Sequence, residues 1–161
     1  MNAEEVADFK EKVNSNYGWI LSHFCLPSDL KVYYSDSGDF GTYFCKTQTR
    51  PPTIYIFPEK HSSFYSCLHT LFHELQHAHQ YETKQLIPVG EKHVAFKGQS
   101  INRKNVEYCN YPWEIDANNV AYDLVYKFQA REMETLQAML KKSLWSRIKG
   151  IFSKKRAKGN K

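Results

Sequence analysis

The sequence predicts an α+β fold, and three observations lead to that prediction. Apolar residues recur at three- and four-residue spacing over residues 3–22, over 62–82 and again from Pro112, which is typical of amphipathic helices. Between the first two helices, short segments rich in β-branched and aromatic residues are separated by turn-forming residues. A chain of 161 residues is long enough for one domain with its own core. We therefore expect an N-terminal helix, a small, mostly antiparallel sheet, a central helix and a C-terminal helix within residues 1–140.

Three short strands are predicted between the first and central helices. They cover Leu30–Tyr34, Thr42–Lys46 and Thr53–Phe57. The turn composition of residues 35–39 predicts a hairpin between the first two strands. Pro51 and Pro52 lack an N–H for a central ladder, which predicts that the third strand begins at an edge of the sheet. Such an edge could bind an extended peptide as an added strand, although an ordinary packed strand fits the same pattern.

Residues 84–110 show no clear apolar period, so they are predicted to be irregular. A long irregular segment in a compact domain often forms a lid or the wall of a cleft. The C-terminal helix is predicted to begin at Pro112 and to extend as far as Leu140.

The cysteines and the N-terminus indicate a cytoplasmic protein. Cys25, Cys45, Cys67 and Cys109 are scattered and form no C-x-x-C pair, and residues 1–5 lack the apolar core of a signal peptide. We expect reduced, mostly buried thiols. No apolar run approaches the roughly 20 residues of a membrane span.

The central helix carries the motif H-E-x-x-H, formed by His73, Glu74 and His77. Residues four apart lie one turn apart on the same face, so both imidazoles can reach one metal ion. This face lies opposite the apolar stripe of the helix, so it is expected to line a cleft. Zinc suits neutral imidazole ligands, and Glu74 lies where a general base would act. The structural alternative is a surface helix that happens to carry two histidines. Of the neighbouring histidines, His69 is not expected to be a ligand, and His79 is expected to form hydrogen bonds within the packed core.

A third ligand is expected, because catalytic zinc usually has three from the protein. Gln80 and Thr83 stand where the metzincin pattern requires Gly and His, which excludes that class. Glu114 is in register with the apolar positions of its helix, which places a carboxylate on a buried face. Such a carboxylate pairs, becomes protonated or binds metal. The structural alternative pairs it with Lys97 or Arg103.

The two helices resemble those of small gluzincin-type metallopeptidases, including minimal phage and bacterial zincins and the ImmA/IrrE-type proteases. The residues that carry the resemblance are LFHELQHAHQ at 71–80 and YPWEIDANNVAY at 111–122. The resemblance implies a minimal zincin-like fold in which a zinc-bound water, deprotonated by the base, hydrolyses peptide bonds of a protein or peptide substrate. The implied residues are the Zn²⁺ ligands His73, His77 and Glu114, the base Glu74 and the helix-packing Ala117.

Several assignments around the site stay open in the sequence. Asn118 stands where larger gluzincins place an Asp that orients a ligand histidine, and Asn can still accept the imidazole N–H. The segment beginning at His93 is similar to the H-G-x-x-F segment that supplies the third ligand of SprT-like proteases, so His93 is an alternative to Glu114. Tyr111, Tyr108 and His93 are candidates for stabilising the oxyanion, with Tyr111 preferred.

Basic charge is concentrated at the C-terminus. Residues 141–161 hold nine Lys or Arg and no acid, whereas residues 1–140 hold 13 basic and 17 acidic residues, a net charge of −4. We interpret 141–161 as a basic amphipathic tail, because apolar residues recur there at helical spacing: Leu140, Leu144, Trp145, Ile148, Ile151 and Phe152.

Three interpretations of this tail are compatible with its composition. The tail suits peripheral binding to an anionic membrane surface. Nucleic acid would use the same charges. In the third interpretation, Leu140, Leu144 and Ile148 pack on the domain. The alternatives to a peptidase are therefore a zincin fold that binds metal and a partner without catalysis, or a module that binds nucleic acid or a membrane through its tail. No oligomeric state is indicated.

Overall fold

The computed structural model describes residues 1–158, with side chains described for 1–104 and 106–145. The fold is α+β, as predicted. Its α-helices are α1 (Ala3–Ser15), α2 (Tyr17–Leu21), α3 (Phe64–Glu82) and α4 (Pro112–Lys158). The chain divides into two compact units, Met1–Val125 and Tyr126–Lys161, and α4 contributes to both. The boundary predicted from composition at residue 140 stays a prediction.

The N-terminal helical region consists of two helices, because Asn16 interrupts it. Asn16 has φ −105° and ψ 8°, outside the helical region, and its side-chain amide donates to the Lys12 carbonyl at 3.0 Å. The beginning of α1 is fixed by a capping box in which Asn2 and Glu5 accept each other's backbone N–H. Both helices contribute apolar side chains to the core, namely Phe9, Val13 and Ile20.

The first sheet has the strand order β1-β3-β2, so the predicted hairpin between its first two strands is wrong. β3 (Thr53–Ile56) pairs in parallel with β1 (Lys31–Tyr34) and antiparallel with β2 (Gly41–Phe44). β3 is the most apolar strand, and its residues Ile54 and Ile56 are fully buried. In the central position both of its edges are paired with neighbouring strands. The turn-forming residues 35–39 therefore lead away from β1 rather than back along it.

The prediction that β3 lies at an edge is also wrong, for a reason visible at Pro52. Both prolines precede the first ladder residue, so their missing N–H groups cost the sheet no hydrogen bond. Pro52 instead accepts a hydrogen bond from the Lys31 N–H at 3.0 Å. With β3 enclosed, the edges of this sheet are β1 and β2, and β2 is the edge strand that lies beside the motif helix.

β2 approaches α3 closely because Gly41 has no side chain. A Cβ atom at this position would lie 2.5 Å from Thr70 Cγ2 and 3.4 Å from Glu74 Cγ. Both neighbours are on α3, so the small residue lets the edge strand lie directly beside the helix that carries the H-E-x-x-H motif.

Residues 84–110 contain a second sheet, which corrects the prediction of an irregular segment. The strands β4 (Leu86–Val89), β5 (His93–Phe96) and β6 (Gln99–Asn102) form an antiparallel meander. Leu86, Val94 and Phe96 form a buried cluster with Trp113 of α4. Only this one face is covered, so each four-residue strand carries too few apolar residues to show a period in the sequence.

The helices α3 and α4 match their predicted faces. Ser63 caps α3 by accepting the Ser66 N–H at 3.2 Å. The predicted stripe of α3 is buried at Leu68, Leu71, Phe72, Leu75 and Ala78. On α4 the predicted buried positions are likewise covered at Glu114, Ala117, Ala121, Leu124 and Phe128.

The exposure of the cysteines differs from the prediction of mostly buried thiols. Cys67 is buried, but Cys25, Cys45 and Cys109 are exposed, so the thiols are not mostly buried. All four are free. Among the described residues, no helix combines the length and the apolar character that crossing a membrane would require.

Candidate metal centre

Three predicted ligands converge in the structure. Nε2 of His73 lies 3.0 Å from Nε2 of His77, and Oε2 of Glu114 lies 3.2 Å from the first nitrogen and 3.3 Å from the second. α3 supplies both histidines one turn apart, and the first turn of α4 supplies the glutamate. The three side chains are between 6 and 15 % exposed, so they are shielded yet reachable.

The spacing of these three atoms fits a tetrahedral ion. Ligands bound at 2.0–2.1 Å in a tetrahedron lie about 3.3 Å apart. The observed separations of 3.0, 3.2 and 3.3 Å form a nearly equilateral triangle of that size. Two imidazoles and one carboxylate are also a donor set that suits zinc with one position open.

The electrostatics of the cluster favour a positive charge between its atoms. Burial would raise the pKa of Glu114, but hydrogen bonds from His73 and His77 outweigh it and lower that pKa to about 2. Burial would lower the pKa of His77, but the hydrogen bond and negative charge of Glu114 outweigh it and raise that pKa. A proton satisfies this preference, and a divalent cation can replace it.

His73 is oriented by Asn118, the residue that the sequence analysis assigned to this task. Asn118 Oδ1 lies 3.1 Å from Nδ1 of His73, one turn after Glu114 on α4. When Nδ1–H donates to this oxygen, the lone pair of Nε2 faces the cluster.

His77 is oriented by Gln80, whose position in the sequence indicated only a departure from the metzincin pattern. Gln80 is fully buried, and its Oε1 lies 3.0 Å from Nδ1 of His77. Its amide nitrogen donates to the Trp113 carbonyl at 3.0 Å and to Asp116 at 2.8 Å. The sequence signal that could have found it is a further polar side chain on the motif face of α3, seven residues after His73 and three after His77.

Glu74 lies beside the cluster without belonging to it. Glu74 is only 8 % exposed, and this burial raises the pKa of its carboxyl group. The imidazoles of His77 and His73 and the backbone N–H of Tyr43 lower that pKa, but by less. A carboxylate whose pKa is raised in this way is suited to accepting and returning a proton.

A cavity of about 230 Å³ opens next to the cluster. Its floor includes Glu74, His77 and Glu114, and one wall is formed by β2 at Gly41–Tyr43. Leu86 of the second sheet and Tyr108, which follows that sheet in the chain, also line the cavity. The predicted role of residues 84–110 in forming a cleft wall is therefore consistent with the structure.

The three oxyanion candidates occupy different places. Tyr108 is 67 % exposed but lines the cavity, where its hydroxyl is hydrogen-bonded to Glu114; partial burial of the phenol and the negative charge of Glu114 raise its pKa. Tyr111 donates its hydroxyl to the Arg103 carbonyl at 2.8 Å and stacks on Trp113, so its polar end is engaged away from the cavity. His93 is exposed at the start of β5.

Neither alternative to the Glu114 cluster is assembled among the described residues. The cluster whose ligand atoms lie within 4.8 Å of one another contains His73, His77 and Glu114, without His93. The cations proposed to neutralise Glu114 bond elsewhere, Lys97 to Asp116 and Arg103 to the Glu91 carbonyl.

The remaining motif histidines have other surroundings. His79 Nδ1 accepts the Cys25 N–H at 2.8 Å, as expected for a packing role. His69 stacks near His73, and its Nε2 is buried without a partner among the described residues. Comparisons of the chain with protein-family models, curated proteins and solved structures found no match.

Proposed function

We propose that this chain is a zinc-dependent peptidase with a minimal zincin-like fold of the gluzincin type. The observation that carries the proposal is the triangle of His73, His77 and Glu114 ligand atoms with a buried carboxylate, Glu74, beside it. A purely structural metal site has no use for that extra carboxylate, because its ligands are already complete. The open cavity next to the cluster supplies the access that a substrate needs.

His73, His77 and Glu114 would hold the ion. Zinc bound there supplies Lewis acidity to water and to a substrate carbonyl. The two amide oxygens of Asn118 and Gln80 support this role by accepting from Nδ1 of each histidine, which leaves both Nε2 lone pairs facing the cluster.

In hydrolysis, the side chains of the protein would transfer a proton and stabilise the developing oxyanion. Glu74 would accept a proton from the attacking water as its oxygen bonds to the carbonyl carbon. It would then return that proton to the amine nitrogen as the C–N bond breaks. Tyr108 is the better placed donor for the developing oxyanion, since its hydroxyl reaches Glu114 at the cavity.

The substrate proposed for this site is an extended peptide lying along β2. This strand is at an edge of its sheet and forms one wall of the cavity, so an extended peptide in the cavity can pair with it as an added strand. The peptide-addition site expected at β3 thus moves to the neighbouring strand, closer to Glu74.

The test separates the proton carrier from the metal ligands. Glu74→Gln should retain zinc and thermal stability but lose at least about 1,000-fold in kcat against any peptide that the wild type cleaves, because only proton transfer is removed. Zinc content, unfolding temperature and hydrolysis of a peptide library would be measured on both proteins. Hydrolysis by Glu74→Gln at the wild-type rate would rule out this mechanism.

The non-catalytic alternative makes the opposite prediction. A zincin fold that only binds metal and a partner would show no hydrolysis by the wild type and no difference between wild type and Glu74→Gln. A nucleic-acid module would bind nucleic acid with a steep salt dependence that is insensitive to His73→Ala.

A further inference from the structure

Gln80 has a hydrogen-bonding pattern that fixes the orientation of its amide. The residue is fully buried, and its Nε2 lies between two acceptors, the Trp113 carbonyl at 3.0 Å and Asp116 Oδ2 at 2.8 Å. A flipped amide would place Oε1 against both of those acceptors and its NH₂ group against the His77 ring. The amide nitrogen therefore faces Trp113 and Asp116, and Oε1 faces His77.

This orientation determines which nitrogen of His77 carries the proton. Because Oε1 can only accept, Nδ1 of His77 must be the donor across their 3.0 Å contact. In the neutral imidazole the proton then resides on Nδ1, and the lone pair of Nε2 faces His73 and Glu114. Without Gln80, the neutral ring could instead place its proton on Nε2, between the three ligand atoms.

The fixed amide is in turn connected to the second sheet. Asp116 accepts from Gln76 at 2.9 Å and from Lys97 Nζ at 2.7 Å, in addition to Gln80. Lys97 lies in the turn between β5 and β6 with φ 48°, and its backbone N–H donates to the Gln85 carbonyl at 2.8 Å. A chain of hydrogen bonds thus runs from the β5–β6 turn through Asp116 and Gln80 to His77.

We propose that Gln80 is a positioning residue that, held by Asp116 and Lys97, keeps His77 in the tautomer able to bind metal. The inference rests on the proposed metal site, and it assigns a purpose to the second sheet. β4–β6 hold the Lys97 turn where its ammonium group can fix Asp116. Partners of this kind typically contribute 10–100-fold to metal affinity.

The test compares the zinc affinity of full-length variants by competition with a chelator. Gln80→Leu, which keeps the approximate volume and removes all three hydrogen bonds, should weaken zinc binding by about 10–100-fold. Lys97→Met should weaken it less, because the Lys97 side chain is half exposed and only steadies Asp116. Gln85→Leu is the matched control, since the Gln85 side chain contacts His79 rather than a ligand, and should bind zinc like the wild type.

A second measurement reports the tautomer directly. The ¹⁵N shifts of His77 in the metal-free protein, recorded well above the imidazole pKa, should show a proton on Nδ1 in the wild type and a mixture in Gln80→Leu. Unfolding temperatures of the metal-free variants would show whether each is folded.

The outcomes separate this inference from the proposed peptidase activity. Unchanged zinc affinity and tautomer in a folded Gln80→Leu overturn the inference, whether or not the wild type cleaves peptides. Weaker zinc binding with a mixed tautomer supports it, and absence of cleavage would then count against hydrolysis alone. A wild type that binds no zinc overturns both.

A second inference comes independently from α4. Over residues 126–145 this helix exposes large apolar side chains at three- and four-residue spacing, each between 51 and 64 % exposed: Met133, Leu136, Met139, Leu140, Leu144 and Trp145. Leu140 and Leu144, for which packing on the domain was the third interpretation, are 56 and 58 % exposed. Ile148, Ile151 and Phe152 lie outside the residues whose side chains the structure describes.

The charge at the C-terminal end of the chain, after Leu140, is entirely positive. Residues 141–161 hold nine Lys or Arg and no acid, and the helix continues to Lys158. A nucleic acid would match these charges but has little use for a stripe of Leu, Met and Trp. We propose that the C-terminal part of α4 binds peripherally to an anionic lipid surface, with the stripe in the acyl boundary and the basic residues among the headgroups.

Sedimentation of the full-length protein with vesicles tests this assignment. Binding to vesicles of anionic phosphatidylglycerol and neutral phosphatidylcholine should exceed binding to purely neutral vesicles by at least about tenfold. The double variants Leu140→Ser/Leu144→Ser and Lys141→Gln/Lys142→Gln should each reduce it severalfold, whereas Gln129→Ser should not.

Three results would overturn the membrane assignment. The first is equal recovery with anionic and neutral vesicles. The second is loss of binding in the lysine variant alone, with duplex DNA competing for the protein, which would indicate nucleic acid. The third is a wild-type dimer that becomes monomeric in the leucine variant without any vesicle binding, which would indicate a second copy as the partner.

Discussion

At the scale of single residues, the properties of the candidate centre depend on which of its atoms carry protons. Three groups that compete for one proton lie within 3.0–3.3 Å of each other, and the side-chain amides of Asn118 and Gln80 bind the far side of the two imidazoles. Neither amide can titrate, so each imposes the same tautomer over the whole physiological pH range. Changes in protonation are thereby confined to the side of the cluster that would face a metal.

The raised pKa of His77 predicts how zinc binding depends on pH. The ligand must lose its proton before it binds, so protons compete with zinc wherever the pH lies below that pKa. Because the pKa is raised above the ordinary value of 6.5, the apparent affinity should begin to fall at a pH above 6.5 as the solution is acidified. Chelator competition between pH 8 and pH 6 would measure it. An affinity that stays constant down to pH 6 would contradict the proton competition.

The thiols should differ sharply in reactivity. Burial raises the pKa of Cys67 to about 12, and the side chain is inaccessible, whereas Cys25, Cys45 and Cys109 are exposed. Since the thiolate is the reactive form, iodoacetamide at pH 8 should modify three thiols of the native protein and leave the fourth intact. Mass spectrometry of digested protein would locate the adducts, with urea-unfolded protein as the control. Modification of Cys67 at the rate of the other three would show that its environment is not as described.

At the scale of elements, the site is built where one sheet edge and two helices meet. β2 lies against α3 because Gly41 allows it, and α4 brings Glu114 to the two histidines through a face that is buried at Ala117 and Ala121. Replacement of small residues along these contacts should therefore move Glu74 and the candidate ligands as well as weaken the fold.

Gly41 provides the sharpest test of this arrangement. In Gly41→Ala the new methyl group would overlap Thr70, whose short branched side chain on a helix cannot move aside, so stability should fall by about 1–3 kcal/mol. Gly18→Ala is the matched control: no atom lies within 4 Å of a Cβ there, and Ala suits the interior of α2, so stability should be unchanged or rise by up to about 1 kcal/mol. Urea unfolding would measure both. Equal stability of the two variants would mean that β2 does not lie this close to α3.

The sequence predicted the elements whose contacts follow from local periodicity. The buried stripe of α3 and the inward position of Glu114 both follow from helical spacing within one segment. Strand order could not be predicted in that way. Pro51 and Pro52 would exclude a central strand only if the ladder needed an N–H at their positions, and both precede the first ladder residue. The second sheet was missed because its apolar face is completed by Trp113, which belongs to a different element.

The same reasoning explains which part of the site was missed. His73, His77 and Glu74 are four residues or fewer apart, so their geometry follows from one helix. The role of Gln80 depends on a carbonyl at Trp113 and a carboxylate at Asp116, more than thirty residues away. The sequence favoured Tyr111 over Tyr108 as the oxyanion donor, whereas their hydrogen bonds, which no local pattern predicts, favour Tyr108.

At the scale of the whole molecule, a bound ion would connect distant parts of the chain. The two ligands on α3 and the one on α4 are separated by 37 residues or more in sequence, so metal binding would stabilise the folded state over the unfolded chain. The second sheet, between these helices in sequence, contributes to the same centre through Lys97 and Asp116.

The measurement that tests the central claim most directly is the zinc content of the purified full-length protein and three variants. We expect about one zinc per wild-type chain, a similar content in Glu74→Gln, and loss of zinc in His77→Ala and Glu114→Ala, each checked for folding by circular dichroism. Full zinc occupancy in a folded His77→Ala or Glu114→Ala would contradict the assignment of the metal centre.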